Sequence, residues 1–248
     1  MNSLNNNITN NDILLVISCG RRFNLFKKTL RNLFFHNPEI NKSIKKCWVL
    51  DDRSDSEEIK KMDIELKNVF LDNYNLIKLS NEEKYYYVNK LNLIKKISDR
   101  EDIIFFLEDD WECCKKLQID RYCEILKNQD TDSICLTGLK QIQNESILKQ
   151  EQKLKGFWKN PWPYEYNHLI KYQKDHRYCY IYHTVAYKNW SLNPNFSKAK
   201  IYHDGIFNLN RRYEAEFADT YGDKINQIFT DEPLFYHIGN DESLEQYG

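Results

Sequence analysis

Glycine is scarce in this chain, with 7 in 248 residues. Neither G-x-G-x-x-G nor G-x-x-x-x-G-K-[ST] occurs, so no glycine-rich turn is present to cradle phosphates on backbone N–H groups. A bound nucleotide would have to be held by side chains, carboxylates and a metal ion. No H-E-x-x-H, nucleophile elbow or kinase signature occurs either. The 7 cysteines are an odd number and include no C-x-x-C pair, which excludes a zinc or disulfide framework and fits reduced thiols in a cytoplasmic setting. Apolar runs such as Ile13–Ile17 and Ile103–Leu107 are far shorter than the roughly 20 residues of a membrane-crossing helix. The polar, Asn-rich residues 1–12 read as a flexible tail and not as a signal peptide. Charge of one sign is missing as well. The net charge is −1 and the 36 basic residues are spread along the chain, so nothing points to a nucleic-acid partner.

Hydrophobic residues make up 41% and aromatic residues 14%, enough to build a core and to exclude disorder, and the length suits one domain. Ile13 to Ser18 is a buried strand by length and branching. Phe23 to Phe35 carries an apolar stripe at helical spacing, ended by Pro38. Short strands follow at Cys47 to Leu50, Leu76 to Leu79 and Ile103 to Leu107. The pairs Ser54/Glu57 and Ser80/Glu83 have capping-box spacing and predict helix starts after the second and third strands. Strands alternating with helices predict an α/β fold with a mainly parallel central sheet flanked by helices.

The second half is less regular. A helix is predicted over Leu117–Leu126 and another over Arg211–Tyr221. Strands are predicted over Ser133–Thr137, Tyr178–Tyr187, Ile225–Phe229 and Leu234–His237. The segment Gly156–Asn167 concentrates Trp158, Trp162, Tyr164 and Tyr166.

The strongest functional signal is Glu108-Asp109-Asp110 at the end of the strand over Ile103–Leu107. Ligands of open α/β sheets bind beyond the carboxyl ends of strands. Clustered carboxylates suit Mg²⁺ or Mn²⁺, ions that commonly hold phosphates. The plain alternative is a solvated acidic turn. Right-handed crossovers gather the strand ends on one edge. That convergence of Ser18–Arg22, Asp51–Ser54 and Glu108–Asp110 favours a site.

These pieces resemble the GT-A-fold glycosyltransferases, nearest to the inverting, family-2-like enzymes. The matching stretches are Ile17-Ser18-Cys19-Gly20-Arg21, Thr29-Leu30, Asp51-Asp52-Arg53-Ser54, the D-x-D-like Glu108-Asp109-Asp110, Glu214-Ala215-Glu216-Phe217-Ala218 and His237-Ile238-Gly239. The resemblance covers roughly residues 13 to 240. It implies a single Rossmann-like GT-A domain over residues 13–248, with a nucleotide-sugar half (13–115) and an acceptor half (116–248). The implied donor is a UDP- or GDP-sugar and the implied acceptor a hydroxyl of a glycan, glycoprotein or other molecule.

The resemblance also implies roles for single residues. Asp51 and Asp52 would contact the base and ribose, with an Asx turn and helix cap as the alternative. Ser18 lies in the donor-binding stretch, and Arg21 or Arg22 would pair with phosphate. Asp110 would hold Mn²⁺ or Mg²⁺ and His237 would complete the metal site. Glu108, a departure from the usual Asp, would stay near the donor with Asp109. Glu214 would be the general base and Glu216 its reserve, with Asp204 an outsider. The aromatic cluster at Trp158–Tyr166 would form an acceptor platform. Two rival readings remain. One is a sugar-phosphate nucleotidyltransferase, disfavoured by the single Gly20 after the first strand. The other is a non-catalytic carbohydrate-binding protein with a degenerate fold, for which Glu108 and Tyr213 at usually acidic positions leave room.

Overall fold

The computed structural model describes residues 13–52, 54–79, 86–137, 169–171, 178–182, 194–205, 221, 224–230 and 233–239. The expected tail at 1–12, the aromatic segment at 156–167, and both Glu214 and Glu216 lie outside these described residues.

β1 (Ile13–Cys19) is buried along its whole length. A strand covered on both faces reads as an unbroken apolar run, and β1 is such a strand. α1 (Phe23–His36) buries Leu25, Phe26, Thr29, Leu30 and Leu33 on one stripe. It stops at Asn37, whose backbone N–H caps Leu33 and Phe34 carbonyls and whose side chain also reaches the Leu33 carbonyl at 2.9 Å. Fully buried Phe26 and Leu30 each contribute about 1.5–3 kcal/mol by leaving water.

β2 (Ile44–Asp52), α2 (Ser56–Phe70), β3 (Tyr74–Leu79), α3 (Tyr86–Ile97) and β4 (Ile103–Glu108) complete the alternation expected for the first half. After them come β5 (Trp111–Cys113), α4 (Ile119–Asn128), β6 (Ser133–Cys135), β7 (Leu169–Lys171), β8 (Tyr178–Tyr182), β9 (Asn195–Lys198), α5 (Lys200–Asp204), β10 (Gln227–Thr230) and β11 (Phe235–His237).

The main sheet has the order β3-β2-β1-β4-β9-β6-β10-β8-β7. β3, β2, β1 and β4 are mutually parallel, β9 runs against β4 and β6, β10 is parallel to β6, and β8 runs against β10 and β7. All of its strands except β8 and β9 therefore point the same way, the mainly parallel sheet read from the sequence. β11 and β5 form a separate antiparallel pair. One core layer lies against α1, α2 and α4, and a smaller one against α3 and α5.

β9 is not foreseen by the sequence pattern. Its four residues, Asn-Phe-Ser-Lys, carry a single apolar side chain, yet Asn195, Phe196 and Ser197 are fully buried. The tertiary context supplies the reason. β9 is wedged between β4 and β6, and Phe196 stacks on Phe105 with ring centroids 4.2 Å apart.

Candidate active site

Side chains alternate along a strand, so each strand end divides its polar residues between two faces of the sheet. Leu15, Ile17, Val49, Phe105 and Leu107 belong to the core under α1 and α2, while Leu14, Val16, Leu50, Ile104 and Phe106 belong to the core under α3. Continued past the apolar residues, the alternation sends Cys19, Asp51 and Asp109 to the α1 face and Ser18, Asp52 and Glu108 to the α3 face. Register keeps these ends level: Cys19 pairs with Asp51, and Ser18 with Glu108.

On the α1 face, Asp109 is fully buried. The Arg22 guanidinium, at the N-cap of α1, forks onto it through Nη2 to Oδ1 and through Nε to Oδ2 at 3.3 Å. The Gly20 N–H donates to the same Oδ2 at 3.3 Å. The peptide is pinned too: the Asp109 N–H donates to the Ser18 carbonyl at 2.9 Å, and Thr29 Oγ1 donates to the Asp109 carbonyl at 2.8 Å. Burial pushes the Asp109 carboxyl up to about 7, against the pull of Arg22. Burial and the two neighbouring acids, Asp109 and Asp51, push the Cys19 thiol far above its usual range, so it is inert.

Asp110 follows in a turn and faces β11. Its Oδ2 accepts Arg22 Nη1 at 2.9 Å and lies 3.2 Å from His237 Nε2. Its carbonyl accepts the Ile238 N–H at 2.8 Å. Burial pushes the Asp110 carboxyl up, but His237 and Arg22 together hold it below the usual carboxylate range. His237 is carried there by the β5–β11 pairing, in which it sits opposite Trp111, with ring centroids 5.0 Å apart.

Among the described residues, Asp110 Oδ1 is buried and has no hydrogen-bond partner. A buried charged oxygen left without a donor is costly in a finished core and natural in a cation site. Asp110 and His237 therefore fit a divalent metal as two protein ligands of a kind Mn²⁺ accepts. Among the described residues no group of three or more His, Cys, Asp and Glu side chains converges on a metal position.

Gly239 explains how Asp110 and β11 come so close. A Cβ at that position would lie 2.6 Å from Asp110 Oδ2 and 2.8 Å from Asp110 Cβ. Gly239→Ala is therefore expected to displace the Asp110 carboxylate, at a cost of roughly 1–3 kcal/mol for the overpacking. The checks are a lowered melting temperature together with weakened Mn²⁺ binding.

The β1 and β2 turns interlock. Gly20 packs so tightly against the Asp52 carbonyl that a Cβ would come within 2.4 Å of it. Arg21 takes the left-handed backbone with φ 54°, which a non-glycine residue adopts at a cost. Its N–H donates to Ser54 Oγ at 2.8 Å. Asp51 is buried and accepts the Ser54 N–H at 3.1 Å. Burial raises its carboxyl while the Ser54 bonds hold it down. The predicted Ser54 cap is displaced by one residue: α2 is capped by Asp55, whose Oδ1 accepts the N–H groups of Glu57 and Glu58 at 2.8 Å. A carboxylate takes both orphan donors, leaving the Ser54 hydroxyl for Arg21.

On the α3 face, Lys90 is a buried cation whose Nζ donates to Ser18 Oγ. Its only sequence signal is its place beside Leu91 and Ile94 on the buried stripe of α3. The fold thus brings together Ser18, Arg21, Asp51, Asp52, Glu108, Asp109, Asp110 and His237, the sequence candidates within the described residues. Of the alternatives Arg21 and Arg22 it sets Arg22 on the acids, it gives Gly239 a packing role, and it adds Lys90. Asp204 is elsewhere, paired with Arg100 on the surface.

Known structures share this architecture. A mannosyltransferase from Pyrobaculum calidifontis in complex with GDP-Man and Mn²⁺ aligns over 90% of this chain and 55% of its own, with TM-score 0.54 and 11% identity. The TarS protein of S. aureus aligns over 91% of this chain and 36% of its own, with TM-score 0.56 and 11% identity. This is the GT-A fold. Glucosyl-3-phosphoglycerate synthase from Mycobacterium tuberculosis, in complex with Mn²⁺, UDP-Glc and glycerol 3-phosphate, shares it with TM-score 0.51 and 9% identity over 91% of this chain and 71% of its own. The chain spans about half of the mannosyltransferase and about a third of TarS. No protein-family model and no curated protein sequence matches it. Among the described residues no helix is long and apolar enough to cross a membrane.

Proposed function

We propose that this GT-A protein is a metal-dependent inverting glycosyltransferase that moves a sugar from a UDP- or GDP-sugar to an acceptor hydroxyl. The observation that carries the reading is Asp110, with one buried oxygen lacking a donor and the other beside His237, at the ligand-binding edge of the sheet. The complexes of similar fold with GDP-Man or UDP-Glc and Mn²⁺ support it.

Asp110 and His237 would hold the metal, which would supply positive charge to offset that of the departing nucleoside diphosphate. Arg22 keeps Asp109 and Asp110 in place and presents its guanidinium to the diphosphate side of the site. Ser18, Asp52 and Glu108 line the nucleoside end on the α3 face, Arg21 stands on the phosphate side, and Asp51, buried on the α1 face, braces the turn that carries Asp52. Glu214 takes the acceptor's proton, with Glu216 in reserve, on the sugar face opposite the leaving group. The acceptor half supplies the aromatic platform of Trp158, Trp162, Tyr164 and Tyr166.

The test is a panel of UDP- and GDP-sugars, each with Mn²⁺ and with EDTA, read first by thermal shift. At about 100 times Kd a ligand stabilises the folded state by about 2.7 kcal/mol, so binding of the right donor is visible without an acceptor. One class of donor is expected to raise the melting temperature, and only with Mn²⁺. Glu214→Gln should then bind that donor unchanged and lose roughly 10²–10⁴-fold in transfer. A panel without any Mn²⁺-dependent shift would overturn the function, and full transfer by Glu214→Gln would overturn the base. Pyrophosphate release from a sugar phosphate and a nucleoside triphosphate would make the protein a nucleotidyltransferase instead.

A further inference from the structure

We propose that Lys90 is the built-in counter-ion of Glu108 and Asp52, which takes Glu108 out of the metal's ligand set. The inference rests on the metal-dependent reading above, because it assigns the ligands of that metal.

Strand alternation separates the acids. Glu108 and Asp110 read as the two acids of one D-x-D-like element, yet they serve different clusters. Glu108 ends β4 on the α3 face, level with Ser18 on β1. Asp52 ends β2 on the same face by the same period. α3 lays Leu91 and Ile94 into the core below these residues and brings Lys90 up among them, where its Nζ bonds Ser18 Oγ. Only 6% of Lys90 is exposed. A lysine that deep must be matched by carboxylates or lose its proton. Burial pushes its ammonium down, and the attraction of Glu108, foremost among the charges that oppose this, followed by Asp52, holds it up.

A divalent ion ligated by Glu108 would sit beside that ammonium in a poorly solvated place, where like charges repel strongly. The Asp110 side is arranged differently. Arg22 is forked mainly on Asp109 and takes one oxygen of Asp110, while Oδ1 stays without a donor and His237 stands at the other oxygen. The acidic element is thus divided between a fixed internal cation and an exchangeable external one.

Two measurements test this, neither of them enzymatic. Mn²⁺ alone is titrated into the wild type, Asp110→Asn and Glu108→Gln, with free Mn²⁺ read by electron paramagnetic resonance. Asp110→Asn is expected to weaken binding roughly tenfold or more, and Glu108→Gln by less than about threefold. Equal weakening by both overturns the ligand assignment. In parallel, melting temperatures are compared for Lys90→Met, Glu108→Gln and the double variant. Each single change takes the partner from a charge, buried Lys90 or half-buried Glu108, and should lower the melting temperature by roughly 5 °C or more, while the double variant should melt no lower than the worse single one. Losses that simply add overturn the counter-ion. Should Lys90→Met not fold, recovery of folded protein in the double variant is the supporting result, and no recovery the overturning one. A wild type that takes up no Mn²⁺ overturns the metal-dependent reading and the ligand assignment with it, while the melting comparison still decides whether Lys90 and Glu108 form a pair.

Discussion

Asp110→Asn is expected to lose sugar transfer by roughly 10²–10⁴-fold while the protein melts close to the wild type, because a metal's charge stabilisation amounts to several kcal/mol and each 1.36 kcal/mol is tenfold in rate. The substitution keeps the shape of the side chain. The amide oxygen can still accept from Arg22 and face His237, so the contacts that hold the turn survive. What changes is Oδ1, which carries charge and has no donor among the described residues of the wild type. In Asp110→Asn that position holds the amide NH₂, which has no lone pair to offer a divalent ion. Transfer is measured by nucleoside diphosphate release with the donor found in the thermal-shift panel. Undiminished turnover would remove the metal from Asp110. A collapse in melting temperature would show that Asp110 is mainly structural.

Arg22→Met is expected to have the largest effect on stability. The Arg22 side chain is 17% exposed and the Asp109 side chain is not exposed at all. Breaking a buried ion pair by removing one partner costs about 3–5 kcal/mol, because the other charge is left uncompensated. In a chain of this size that corresponds to a melting temperature lower by roughly 6–20 °C. Arg22→Lys should recover only part of it, since an ammonium cannot fork onto both oxygens of Asp109 and also reach Asp110.

The sign of the pH dependence follows from Asp109. Burial already raises its carboxyl to about 7, and loss of Arg22 raises it further. A carboxyl raised in the folded state stabilises that state at low pH and loses the contribution as pH rises through its folded pKa. The deficit of Arg22→Met should therefore be smallest near pH 5 and grow towards pH 8. Calorimetry at several pH values checks this. A deficit independent of pH would mean that packing of the Arg22 stem, and not charge, accounts for the loss.

Much of the fold was legible in local pattern. Ile13–Ile17 and Ile103–Leu107 read as buried strands, and the stripe from Phe23 to Phe35 gave α1 to within a residue. The acidic strand ends were legible for the same reason: a carboxylate directly after an unbroken apolar run has to emerge at the edge of the sheet. Short elements were not. β5 and β9 are three and four residues long and owe their conformation to partners far along the chain, so propensity carried no signal for them. The Ser54 cap was misplaced because Asp55 competes for the same N–H groups, a contest decided by the pull of Arg21 on the Ser54 hydroxyl.

By itself, then, the sequence determined a mainly parallel α/β sheet with two acidic strand ends, and a basic one after β1, on one edge. Only the tertiary structure decided which cation meets which acid. Arg22 rather than Arg21 reaches Asp109 and Asp110, because the left-handed turn at Arg21 starts α1 with Arg22 as its N-cap. His237 reaches Asp110 from 127 residues away through the β5–β11 pairing, with Gly239 leaving the room it needs. Lys90 reaches Ser18 from the middle of a helix. Long-range charge pairing depends on how elements pack in space, and no local periodicity encodes it. For this reason Glu108-Asp109-Asp110 reads as one motif in the sequence and divides between two clusters in the fold.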